Sequence, residues 1–163
     1  MRNFKSLLSI VAVPVLFTCN QVHATPETGI DYSQTASTIT INTISTATPN
    51  VLRSKTIACP ADGFLVATAN ALFSFTVSNS TFPGTIAYSV SRNSTAFDAN
   101  HQHNVFGNYV FDFHRFPASM QRVDTCTAGQ TFTYRFLATR GTNVFDVTAR
   151  QPNLVILFFR DQL

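Results

Sequence analysis

The sequence predicts an all-β protein: a single antiparallel domain of eight or nine strands, a β-sandwich or barrel. Three observations predict it. Apolar residues recur at every second position in segment after segment, turn-forming residues separate those segments at short intervals, and no convincing helical spacing of apolar residues is found. The clearest segment is Gly63–Val77, where Leu65, Ala67, Ala69, Ala71, Phe73, Phe75 and Val77 form one apolar phase and Thr68, Asn70, Ser74 and Thr76 fall in the other. That is the signature of a strand with one buried face. At roughly 3.3 Å per residue the run exceeds a usual strand, which predicts a bend or bulge near Asn70.

The first residues read as a leader. Arg2 and Lys5 precede an apolar run from Leu7 to Phe17, and Val22-His23-Ala24 supplies the small-residue pattern of a cleavage site, so residues 1–24 are expected to be a signal peptide. The run is too short to span a bilayer as a helix, and no later stretch is both long and uniformly apolar. The expected product is therefore secreted or periplasmic, with no transmembrane segment. A rival reading places a lipid on Cys19, because Leu16-Phe17-Thr18-Cys19 resembles a bacterial lipobox; Thr18 stands where such boxes take Gly, Ala or Ser.

Without the leader, the 11 basic residues lose Arg2 and Lys5 and stand nearly balanced against 8 acidic ones. The remaining cations are scattered, with no stripe of the kind that phosphate backbones require, so nucleic acid is excluded as a partner. Cys59 and Cys126 are left as an even pair, and in an oxidising compartment they are expected to form a disulfide. A redox or metal role lacks a Cys-x-x-Cys spacing and a nearby histidine.

Residues 25–50 form a Thr/Ser-rich arm or first strand, with alternation from Thr38 to Ile44, and residues 51–163 form the sandwich domain. Val51 to Cys59 is a candidate strand closed by Pro60 and the Asp62-Gly63 turn. After the long central run, Asn79 to Gly84 turns the chain into a strand over Thr85 to Arg92, and Asn93 to Asn104 is a polar loop. Tyr109, Phe111 and Phe113 share a strand face that Phe116-Pro117 brings to an end. Thr127-Ala128-Gly129 turns into Gln130 to Ala138, and Arg140 to Asn143 turns into Val144 to Ala149. Gln151-Pro152-Asn153 then separates off a last strand, Leu154 to Phe159.

That last strand is apolar on both sides, with Leu154, Ile156 and Phe158 on one face and Val155, Leu157 and Phe159 on the other. A sheet in a two-layer sandwich buries only one face, so the other needs a cover. These six residues are candidates for a homo-oligomer interface. A loop or the N-terminal arm folding over them in the monomer is the competing cover.

Several segments together resemble the C1q and TNF-type jelly rolls: the strand opening Gly-Phe-Leu-Val-Ala at Gly63, Tyr-Ser-Val-Ser at Tyr88, Ala-Gly-Gln-Thr-Phe at Ala128 and the closing Leu-Phe-Phe at Leu157. The likeness runs from Cys59 to the end and lies in strand pattern; the collagen-like stalk of C1q proteins is missing. It implies a jelly roll and a trimer whose last strand packs near the threefold axis, and any transfer of function would be fold analogy.

Chemistry is sparse. No Gly-x-Ser-x-Gly elbow or phosphate-cradling glycine loop is present, and the aspartates are spread along the chain, so no enzyme activity and no cofactor are expected. The best local constellation is His101-Gln102-His103 with Asp98 just before it, which in an extended segment could share a transition metal; the alternative is a solvated loop. Asp112 and His114, with Arg135 on another strand, would form a charged site only if their strands are neighbours. Asn79-Ser80-Thr81 and Asn93-Ser94-Thr95 are glycosylation sequons that matter only in a glycosylating host. The expected function is a self-associating binding module for a protein or glycan partner. The alternatives are a filament or coat subunit that donates Thr38–Ile44 as a strand, and a metal-binding protein or enzyme acting through His101 and His103.

Overall fold

In the computed structural model, which describes residues 31–34, 37–77, 84–107 and 113–161, the chain folds into two antiparallel sheets packed face to face. The strands are β1 (Asp31–Gln34), β2 (Thr38–Thr40), β3 (Asn50–Ala58), β4 (Gly63–Val77), β5 (Gly84–Arg92), β6 (Gln102–Gly107), β7 (Phe113–Cys126), β8 (Thr131–Arg140) and β9 (Val144–Arg160). Sheet A runs β1-β9-β4-β7, with β2 also paired to β9; sheet B runs β3-β8-β5-β6. With β1 and β2 counted as one interrupted edge strand, each sheet has four strands interleaved from the start, middle and end of the chain. This is the jelly-roll order of two Greek keys. No helix of the described residues is long and apolar enough to cross a membrane. The leader, Cys19, Asn79 and Asp112 lie outside the described residues.

Alternation places the core. The predicted apolar phase of β4 is buried along its whole length, and it meets Tyr88, Val90, Tyr134, Phe136, Leu154, Ile156 and Phe158 from the other core strands. Phe73 packs against Tyr88 with ring centroids 5.6 Å apart and edge-on to Phe136 at 6.4 Å. Each such buried side chain contributes on the order of 1.5–3 kcal/mol. The expected disulfide is present: Cys59, just past β3, is bonded to Cys126 at the end of β7 with Cα atoms 6.2 Å apart, so it ties sheet B to sheet A.

Three elements differ from the sequence expectation. Pro117 does not end a strand but sits inside β7, which is the edge of sheet A; a missing N–H costs no ladder bond on the side that faces solvent. Gln151 and Pro152 do not separate two strands either. They lie within one continuous β9, where Gln151 takes a positive φ of 47° and the pairing with β4 slips between Asn70 and Leu72. That slip is the irregularity expected near Asn70, and the bulge is also what lets a proline sit in a central strand. The third is the stretch read as a polar loop up to Asn104, whose end pairs with β5 as the edge strand β6.

The two outer faces are unlike. On sheet B, Ser89, Ser91, Leu137 and Thr139 are buried although they point away from the core phase. The chain itself covers them: Ser89 Oγ donates to the His101 carbonyl at 2.6 Å, Ser91 Oγ to the Ala96 carbonyl at 2.5 Å, and the Phe97 N–H to the Thr46 carbonyl at 3.0 Å. On sheet A, the outer-phase residues of β7 from Pro117 to Thr125 are exposed. Among the described residues, one face is lidded and the other is open.

Candidate binding surfaces

Antiparallel partners stand side by side on one face, so the ladder of sheet A sorts its outer surface into rows. Phe64 lies beside Thr125 and Phe159, Val66 beside Val123 and Leu157, and Thr68 beside Gln121 and Val155. Phe64 is 41% exposed and Val123 56%, while Val66, Val155, Leu157 and Phe159 are half-buried. None of these residues carries a charge. The six residues singled out on the last strand therefore divide. Leu154, Ile156 and Phe158 belong to the core at 0–1% exposure and have no surface to offer, whereas Val155, Leu157 and Phe159 form part of an apolar strip that Phe64, Val66 and Val123 complete.

The next rows change character. Asn70 stands beside Ser119 and Asn153, and Leu72 beside Pro117 and Arg150. Here β9 sets two residues, Gln151 and Pro152, against the single Ala71 of β4, and the sheet surface carries a groove of about 600 Å³, with Ala71 and Ala118 among its lining residues.

A third feature is a charged cluster at one end of the sandwich. Arg122 and Asp124 project inward from β7, and both are buried. The Arg122 guanidinium donates to both Asp124 oxygens, from Nε to Oδ2 at 2.7 Å and from Nη2 to Oδ1 at 3.1 Å, and its Nη1 donates to Asp98 Oδ2 at 2.5 Å. Arg92 from β5 reaches Asp124 Oδ1 at 2.8 Å, and the Tyr134 hydroxyl donates to Asp124 Oδ2 at 2.9 Å. The hydrogen bond from Arg122 holds the Asp98 carboxyl below its usual value. For Asp124, burial works upward, but the bonds from Arg122 and Tyr134 overcome it and hold the group low. Burial, and then Asp124, push the Tyr134 phenol far up. Both carboxylates are thus committed to guanidinium partners, and the cluster presents an interlock between the sheets rather than a free acid and base.

The two histidines that could share a metal have different neighbours. His101 Nδ1 lies 3.5 Å from Asp98 Oδ2, but that oxygen already accepts from Arg122, and His103 stacks on Tyr88 with centroids 5.8 Å apart. No group of three His, Cys, Asp or Glu suited to a metal forms among the described residues. His114 packs beside Phe75 and Phe116, while Arg135 donates to the Ser94 carbonyl at 3.2 Å; β7 and β8 lie in opposite sheets, so this pair builds no common site.

The charged cluster did carry a signal in the sequence. Ala118, Met120, Arg122, Asp124 and Cys126 share one phase of β7, so the charged pair sits in register with apolar residues and not opposite them.

No family model matches the chain, and no curated protein matches it. Among solved structures the chain is similar to one described as the EclA C-terminal domain, a sugar-binding protein, at 9% identity and a TM-score of 0.35, covering 93% of this chain and 99% of that one.

Proposed function

We propose that the protein is an exported, disulfide-stabilised binding module that self-associates through the Gly63 end of sheet A's outer face. One observation carries the reading: the uncharged strip of Phe64, Val66, Val123, Leu157 and Phe159 lies on the face that the described residues leave open, while the opposite face is covered by the chain's own loops. A strip without charge can face its copy without like-charge repulsion, and burying it removes apolar area from water. The pairing of Thr38–Thr40 with β9 of its own chain, and the burial of Ile41, support a self-contained domain over a strand donor. The C1q and TNF-type resemblance supports a trimer. A disulfide suits an oxidising compartment, in line with export.

Sedimentation velocity of the protein lacking residues 1–24 tests this. Wild type is expected to sediment as an oligomer at micromolar concentration and Val123→Glu as a folded monomer, because the exposed Val123 site tolerates a charge in one copy but not between two. A monomeric wild type, or an oligomer indifferent to Val123→Glu, contradicts the reading.

A further inference from the structure

The groove at the β4–β9 bulge is the built feature that self-association leaves unexplained. Its polar wall is a row of two carboxamides and a hydroxyl, Asn153, Asn70 and Ser119, held in register on three adjacent strands. The Asn153 Oδ1 atom is shielded from solvent and has no hydrogen-bond partner, which is costly for an amide oxygen unless something else supplies a donor. A carboxamide both donates and accepts, and so does an alcohol, so a hydroxyl seated in the groove answers the half-buried amides of Asn70 and Asn153 through whichever end each presents.

The neighbouring row is apolar at Leu72 and Pro117 and cationic at Arg150, whose side chain is exposed. Among the described residues, the outer-face rows from Thr68 through Thr148 contain no carboxylate, and the nearest acid along β9 is Asp146, beyond Thr148. The local field therefore favours an anion. A planar guanidinium next to an apolar step and a row of amides matches a ring that bears hydroxyls along one edge, a carboxylate at another, and C–H groups on its face.

We propose that this groove binds a carboxylate-bearing saccharide, with the carboxylate on Arg150, hydroxyls on Asn70, Asn153 and Ser119, and the ring face on Leu72 and Pro117. The proposal rests on residues outside the apolar strip, so it and self-association can fail separately.

The test is titration calorimetry of the purified protein with trigalacturonate, alongside neutral maltotriose and the ring-free trianion tricarballylate, at fixed ionic strength. Trigalacturonate is expected to bind saturably, and the two controls at least about tenfold more weakly, the loss of one charge-assisted contact. Arg150→Gln and Asn153→Leu are each expected to weaken trigalacturonate by about tenfold or more while leaving the near-ultraviolet dichroism and the sedimentation of the protein unchanged. Equal affinity for maltotriose overturns the anionic assignment, and equal affinity for tricarballylate overturns the saccharide. Absent binding of trigalacturonate, or undiminished binding by both folded variants, overturns the site itself. Should Asn153→Leu unfold, Asn70→Ala and Ser119→Ala replace it under the same criterion.

Discussion

Arg122 is the residue on which the largest local electrostatic demand falls, since one buried guanidinium serves Asp98 and Asp124 at once. Both carboxyls are held below their usual range, so the sign of the pH dependence follows: the stability they contribute is fully present above the ordinary carboxylate range and is lost as pH falls through their lowered folded values. Asp98→Asn is expected to cost about 1–2 kcal/mol at neutral pH, the scale of one hydrogen bond to a charged group discounted for partial exposure. Denaturant titrations of both forms should show that gap closing as the pH falls below the ordinary carboxylate range. A gap that persists unchanged in acid would show that Asp98 acts through packing and not through charge. Arg122→Leu is a harsher change, because it leaves Asp124 buried with one guanidinium fewer, and belongs to the class that costs about 3–5 kcal/mol.

At the scale of single elements, β4 and β9 show what the sequence could and could not disclose. The bounds, buried phase and irregularity of β4 were all legible, because a strand with one buried face writes its geometry into every second residue. β9 was legible on either side of Gln151-Pro152 but not across it, since a proline and a polar neighbour look alike in a turn and in a bulge. The same ambiguity at Pro117 hid the second half of β7, and with it Val123, Arg122 and Asp124. The groove was hidden for a different reason: its residues come from three strands, and only the ladder register brings Asn70, Ser119 and Asn153 into one row. Gly63 offers a check on the close approach of β4 and β9. A Cβ there would run into the Phe159 carbonyl and the Phe158 ring, so Gly63→Ala is expected to destabilise the protein by about 1–3 kcal/mol in chemical denaturation. A neutral Gly63→Ala would mean that the end of β9 gives way without cost.

On the scale of the whole molecule, the jelly roll divides labour between its two outer faces. Sheet B's is closed by the chain's own loops, and sheet A's is left open among the described residues, apolar near Gly63 and polar-cationic at the bulge. The disulfide and the charged cluster both bridge the sheets, so the layers that present the open face are fixed to each other at two places. The central claim is that the apolar part of that face is buried by another copy of the same chain. Hydroxyl-radical footprinting across a protein dilution series tests it most directly, with Phe106 and Phe145, 54% and 39% exposed and away from the strip, as internal references. Labelling of Phe64 and Phe159 is predicted to fall as concentration rises while Phe106 and Phe145 stay constant; labelling of all four that is independent of concentration would contradict the account.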